Sequence, residues 1–130
     1  MKEVVDFLKN SGVYFLATID GDTPRVRPFG TIEIFENKLY IQTGKKKDVY
    51  KQIEKNNNVE ISAFNNGRWI RITGKLIPDD RVEAKKDMLY KNPNLRGMYN
   101  ELDDNTIVLY FESFKAVIYS FTEPPRIIEQ

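Results

Sequence analysis

Residues 59 to 76 constrain the fold most. Arg68 to Leu76 alternates strictly, with Ile70, Ile72 and Leu76 on one side and Trp69, Arg71, Thr73 and Lys75 on the other. Period-two alternation is the mark of a half-buried strand. Val59 to Phe64 precedes it, and Asn65-Asn66-Gly67 between them supplies the residues that tolerate the positive φ of a tight hairpin turn. A hairpin with one apolar face cannot stand alone, so the rest of the chain must extend the sheet and cover that face.

The flanking segments do so. Val13 to Ile19 and Arg25 to Phe35 are extended patterns joined by Asp20-Gly21-Asp22, with Pro28 marking an edge, bulge or bend at Arg27-Pro28-Phe29-Gly30. Glu36-Asn37 turns into Lys38 to Thr43, where Leu39 and Ile41 oppose Tyr40 and Gln42. Thr106 to Phe111 and Ala116 to Phe121 are two last strands, and Pro124-Pro125 excludes regular structure from the tail.

Three helices are predicted among them. The first ten residues place Val4, Phe7 and Leu8 on one face before the stop Asn10-Ser11-Gly12, and Asp48 to Asn56 pairs Val49 with Ile53. The third runs from an Asp80 cap to Tyr90, with Val82 and Leu89 inward, after Pro78-Asp79-Asp80 stops the preceding strand. Asn94 to Asn105 reads as irregular, with Asp79-Asp80 and Asp103-Asp104 as caps and turns rather than a metal site. Six or seven strands joined mostly by hairpins predict a mainly β fold, an antiparallel barrel with a few helices, in a single domain over residues 1–130.

Composition removes several chemistries. Cysteine and histidine are absent, which excludes disulfides, thiolate nucleophiles, Cys/His zinc sites and imidazole acid–base catalysis. Hard chemistry would then reside in a cofactor. Lysine plus arginine (20) balances aspartate plus glutamate (19), so no global field favours nucleic acid and any anion site must be local. The apolar runs are far shorter than the roughly 20 residues of a membrane span. The acid-bearing start Met1 to Asp6 does not resemble a secretory leader, making a cytoplasmic location the expectation.

One local anion site stands out. Gln42-Thr43-Gly44-Lys45-Lys46-Lys47-Asp48 runs from a strand end through a glycine into a helix. Cations in the first turn oppose the helix dipole by about 0.3–1 kcal/mol each, so the charge needs a partner. A phosphate would take both the free amides and the ammonium groups, with Thr43 adding a hydroxyl. The alternative is a solvated lysine loop partly neutralised by Asp48. The lone tryptophan, Trp69, faces away from its strand's core side and is to cover a ligand, a subunit or nothing. Arg25 and Arg27 share a face beside Pro28, free to bind an anion or to pair with Glu33 or Glu36.

Together these segments resemble the pyridoxamine 5'-phosphate oxidase-like family of FMN-binding split barrels, across nearly the whole chain. Phe15-Leu16-Ala17-Thr18-Ile19-Asp20-Gly21 with Pro24-Arg25-Val26-Arg27-Pro28-Phe29 resembles the family's first hairpin, and Leu39 to Lys47 its third strand and phosphate turn. Arg68-Trp69-Ile70-Arg71-Ile72-Thr73-Gly74 is similar to the strand that lends a side chain to the flavin.

The resemblance implies an antiparallel Greek-key split barrel and a homodimer with FMN at its interface. It implies ring contacts from Arg25, Val26, Arg27, Pro28 and Trp69, ribityl or ring contacts from Gln42 and Thr43, and a phosphate grip by Lys45, Lys46 and Lys47. An FMN-dependent oxidoreductase acting on a small-molecule substrate or electron donor follows, with no catalytic acid or base identifiable. The end, Ser120 to Arg126, departs from that of the true oxidases, so pyridoxamine oxidation itself is not expected. The rival readings are a flavin store or sensor without catalysis, and a small barrel binding single-stranded nucleic acid.

Overall fold

The computed structural model describes residues 1–130. Eight strands form one antiparallel sheet: β1 (Tyr14–Asp20), β2 (Thr23–Phe29), β3 (Glu33–Phe35), β4 (Lys38–Gly44), β5 (Asn58–Asn65), β6 (Arg68–Asp79), β7 (Thr106–Ser120) and β8 (Arg126–Glu129). Their order is β2-β1-β5-β6-β7-β4-β3, with β8 beside β7. Every pairing is antiparallel, and the sheet remains open because its end strands β2 and β3 do not pair with each other. Helices α1 (Lys2–Ser11), α2 (Asp48–Lys55) and α3 (Val82–Lys91) and a 3₁₀ turn (Pro93–Gly97) complete the fold.

The sheet wraps one main core. Leu16, Ile41, Ile61, Ile70, Ile72 and Phe111 point inward from five strands and are almost fully buried. α1 seals one opening with Val4, Phe7 and Leu8, and α2 another with Val49 and Ile53. Each such side chain stabilises the fold by about 1.5–3 kcal/mol. A smaller cluster of Tyr40, Ala84, Met88 and Val108 packs α3 on the opposite face of β4 and β7. β4 is therefore buried on both faces, although its alternation reads as half-exposed.

The turns follow the sequence chemistry. Glu36 (φ 48°) with Asn37 (φ 61°), and Asn66 (φ 53°) with Gly67 (φ 77°), occupy left-handed backbone at two of the three tight hairpins, and Gly21 (φ 65°) does so at the third. Gly12 (φ 77°) closes α1. Pro28 lies on the edge strand β2, where its missing donor removes no ladder bond.

Several expectations are corrected. Arg25 to Phe35 is two strands, because the chain leaves the sheet at Gly30. β6 continues through Pro78 to Asp79, so the proline does not stop it. Arg81 rather than Asp80 precedes α3, and Val82 is 42% exposed, since the helix buries Ala84, Lys85, Met88 and Leu89 instead. The Asp79 carboxylate anchors that junction, accepting bonds from the Tyr40 hydroxyl (2.7 Å) and from the Arg81 amide (3.1 Å). Burial opposes its ionisation, yet the Arg81 and Tyr40 bonds outweigh it and hold Asp79 below the usual aspartate range.

The last two predicted strands are one strand, β7, whose polar break at Glu112-Ser113 is a bend rather than an end. Downstream of Pro124-Pro125 the chain becomes β8. The bend faces an irregularity in β6, where a Cβ built on Gly74 would lie 2.5 Å from the Ser113 carbonyl and 2.8 Å from the Phe111 ring. Backbone cannot yield as a flexible side chain does, so Gly74→Ala should lower the unfolding free energy by about 1–3 kcal/mol in urea titration. An unchanged midpoint would show that the two strands separate freely at this point.

Candidate functional site

Edge strand β2, the C-terminal end of β4, the start of α2 and the segment after α3 converge on a cleft of ≈ 270 Å3. Pro28, Phe29, Gly30 and Thr31 form one wall, Gln42, Thr43 and Lys47 the floor, and Asn92, Asn94, Leu95, Met98 and Tyr99 the opposite wall. Larger grooves exist beside α2 and around Gly74, but neither unites the residues marked in the sequence.

The cleft is rigidly built. Tyr14, 1% exposed, donates its hydroxyl to the Thr31 carbonyl (2.6 Å), and the Thr31 hydroxyl accepts the Gln42 amide (3.0 Å). This ties the chain after Pro28 to β4. Burial, partly offset by that bond, pushes the Tyr14 phenol far above the ordinary tyrosine value, so it remains a donor throughout the accessible pH range. Gln42 and Thr43 are buried, and the Gln42 side-chain amide (Nε2) donates to the Thr43 carbonyl (3.1 Å).

Beside the cleft lies a cationic corner. Arg27 donates to the Leu16 carbonyl (3.1 Å), the Thr18 hydroxyl (2.8 Å) and the Gln52 side-chain oxygen (2.7 Å), which holds its guanidinium against α2. Burial and the charge of Arg25 lower the Arg27 pKa, against the pull of Asp48. Arg25 itself turns to Asp20 (3.1 Å), not to Glu33 or Glu36, which pair with Lys9 and Arg81.

The three lysines separate. Lys45 donates its ammonium to Asp80 (3.1 Å), whose other oxygen takes the buried Lys85 (2.5 Å). Lys46 and Lys47 are exposed and form no ion pair. α2 begins without a side-chain cap, so its first amides are unsatisfied by the chain. Two free ammonium groups, open helix amides and a neighbouring guanidinium are donors of the kind an anion can accept from.

Trp69 lies elsewhere. Its ring stacks on Tyr119 (5.5 Å, 14°) and touches Phe121 (5.1 Å) on the outer face of the sheet. Phe64, its partner across the ladder, is 63% exposed, and Phe15 and Val26 on neighbouring strands are similarly bare. One protomer thus brings Pro28, Gln42, Thr43 and Lys47 into one cleft, holds Arg27 against Gln52 of α2 and leaves Lys46 just ahead of that helix, while Trp69 lies on a separate apolar face and Val26 turns out toward it.

Sequence reasoning missed Thr18 and Gln52, which hold Arg27, as well as Thr31, Asn92, Met98 and Tyr99. The last three sit in or beside an irregular stretch without periodicity, and no sequence signal would have found them.

The sequence profile of the family described as Pyridoxamine 5'-phosphate oxidase matches residues 1–101. The fold is similar to that of a NimC/NimA family protein from Clostridium acetobutylicum, with TM-score 0.97 and 43% identity, covering 100% of this chain and 92% of that one. General Stress Protein 26 from Bacillus anthracis str. Sterne shares the fold at TM-score 0.76 and 17% identity, over 99% of this chain and 97% of its own. So does a pyridoxamine 5'-phosphate oxidase-related, FMN binding protein from Nostoc punctiforme PCC 73102, at TM-score 0.67 and 16% identity, over 99% and 94%. No curated protein matches the chain.

Proposed function

This chain belongs to the pyridoxamine 5'-phosphate oxidase family, and on that premise we propose that it is an FMN-dependent oxidoreductase holding the cofactor between two copies of itself. The observation that carries the reading is the pair of unpaired ammonium groups, Lys46 and Lys47, at an uncapped helix start beside a partly buried arginine. A phosphate dianion suits this donor set, because the two ammonium groups lack an internal acceptor and the arginine, although held by Gln52, keeps its positive charge beside them.

In this arrangement Lys46, Lys47 and the first amides of α2 hold the phosphate, and Arg27 adds positive charge. Gln42 and Thr43 lie at the floor where the ribityl chain and ring edge would pass. Pro28 to Thr31, tied down by Tyr14, present backbone polar groups to the ring. When bound, the flavin supplies hydride or electron transfer, and the chain supplies orientation and electrostatics.

The cleft of ≈ 270 Å3 is smaller than the range of about 300–1,000 Å3 common for sites that enclose a ligand of this size. A second protomer would complete it, with the outer sheet face and Trp69 forming the covering wall. Arg25 and Val26, on the same edge strand, would meet that partner rather than the ring. Lys45, held by Asp80, would contribute charge at a distance.

Titrating the protein with FMN is expected to quench flavin fluorescence with a stoichiometry of one per protomer. Anaerobic bleaching of the bound flavin by a nicotinamide donor, then recolouring with an acceptor, would support the oxidoreductase. Bound flavin that resists every donor would favour storage or sensing, and absence of binding would reject both.

A further inference from the structure

We propose that Asn105 is the positioning residue of the anion-binding turn, bracing Gly44 to Lys46 from behind so that Lys46 and Lys47 present their ammonium groups to one point. The inference rests on the FMN reading above and assigns a role to a loop that reading leaves unused.

Asn105 engages two consecutive amides of the turn. Its backbone carbonyl accepts the Lys45 N–H (2.7 Å) and its side-chain oxygen accepts the Lys46 N–H (3.0 Å). The Lys47 amide bonds to the Gly44 carbonyl (3.1 Å), so none of the three lysine amides is open to a ligand. Any anion must therefore be met by side chains and by the amides of α2. Where those side chains begin depends on how firmly the turn is held.

Contact at Gly44 shows how close the brace sits. A Cβ there would lie 2.9 Å from Nδ2 and 3.0 Å from Oδ1 of Asn105, so glycine leaves the space that the asparagine occupies. The brace is itself anchored. Asp103 accepts the amides of Asn100 (3.0 Å), Asn105 (2.9 Å) and Thr106 (2.6 Å) and the Thr106 hydroxyl (2.9 Å). Burial opposes its charge, but these bonds prevail and hold its carboxyl far below the usual aspartate range. Thr106 then pairs with Gly44, the last rung between β4 and β7, so the brace continues the sheet by one residue beyond its end.

A residue that only shaped its own loop would not act on the ligand's phosphate. Asn105→Ala removes the side-chain acceptor and Gly44→Ala displaces it, and each variant is titrated with FMN and with riboflavin, which lacks the phosphate. FMN dissociation constants are expected to rise roughly two- to tenfold, the worth of one hydrogen bond, with riboflavin within about twofold of the parent. Amide exchange at Lys46 should accelerate in both variants. Equal weakening of the two flavins, or no weakening of either, overturns the brace while the parent's FMN binding stands. A parent that binds neither flavin overturns both readings, and if Asn105→Ala fails to fold, Gly44→Ala decides.

Discussion

Alanine at both Lys46 and Lys47 is expected to weaken FMN binding by about 100-fold or more, from charge-assisted hydrogen bonds worth roughly 1.5–3 kcal/mol each. Alanine at Lys45 should change it by no more than about threefold. The asymmetry within three identical residues is the test. Lys45 already has Asp80 as a partner, whereas its two neighbours have none. Removing exposed, unpaired lysines from the N-cap of α2 and the residue before it also relieves repulsion with the dipole, so the double variant should be no less stable than the parent. Riboflavin affinity should remain near the parent's because the ring floor at Gln42 and Thr43 is untouched. Calorimetric titration of the three proteins with both flavins measures this. A large loss on Lys45→Ala, or equal losses of FMN and riboflavin in the double variant, would move the phosphate away from α2.

Local chemistry made much of this legible beforehand. Asn66-Gly67 takes positive φ as its composition implied, Glu36-Asn37 turns the chain where expected, and the alternation around Ile70 and Ile72 separated core from outer face correctly. The lysine turn ahead of α2 was legible because three cations there conflict with the helix dipole, a conflict readable in seven consecutive residues. Long-range partners were not. Arg27 is held by Gln52, 25 positions away, and Lys45 by Asp80, 35 positions away. No local pattern encodes either pairing.

Strand errors came from reading polarity as a boundary. Glu112-Ser113 interrupts an apolar run without ending β7, and Pro78 lies within β6. The tail forms β8 because β7 offers it a free edge, a tertiary opportunity that the prolines before Arg126 conceal. α3 escaped in detail for a similar reason. Its inward face includes Lys85, whose ammonium reaches Asp80, so a charged residue occupies a position that hydrophobic patterning assigns to the outside.

Glutamate at Phe64 is expected to split the proposed dimer, raising its dissociation constant by about 1,000-fold or more while leaving a folded protomer. Phe64 is 63% exposed within one chain, so its replacement removes little from the core. It stands beside Trp69 on the ladder, and Tyr119 extends the same row one strand further, forming an apolar band on the open face. In a two-fold interface each substitution counts twice. An unpaired carboxylate buried against aromatic rings costs several kcal/mol, and the symmetric pair adds repulsion. Light scattering gives the mass, and circular dichroism checks the fold. Flavin retention should fall with dimerisation, because the cleft would lose the wall supplied by the other copy. Trp69 is the only tryptophan, so quenching of its emission by bound flavin should occur in the parent and vanish in the monomeric variant. Tyr90→Glu, on α3 and more exposed still, controls for added charge and should change neither mass nor flavin content. A Phe64→Glu protein that remains dimeric with full flavin would place the subunit contact on another face. The cleft would then have to be closed from its own protomer, where Met98 and Leu95 are apolar side chains on the wall facing Pro28 and Phe29.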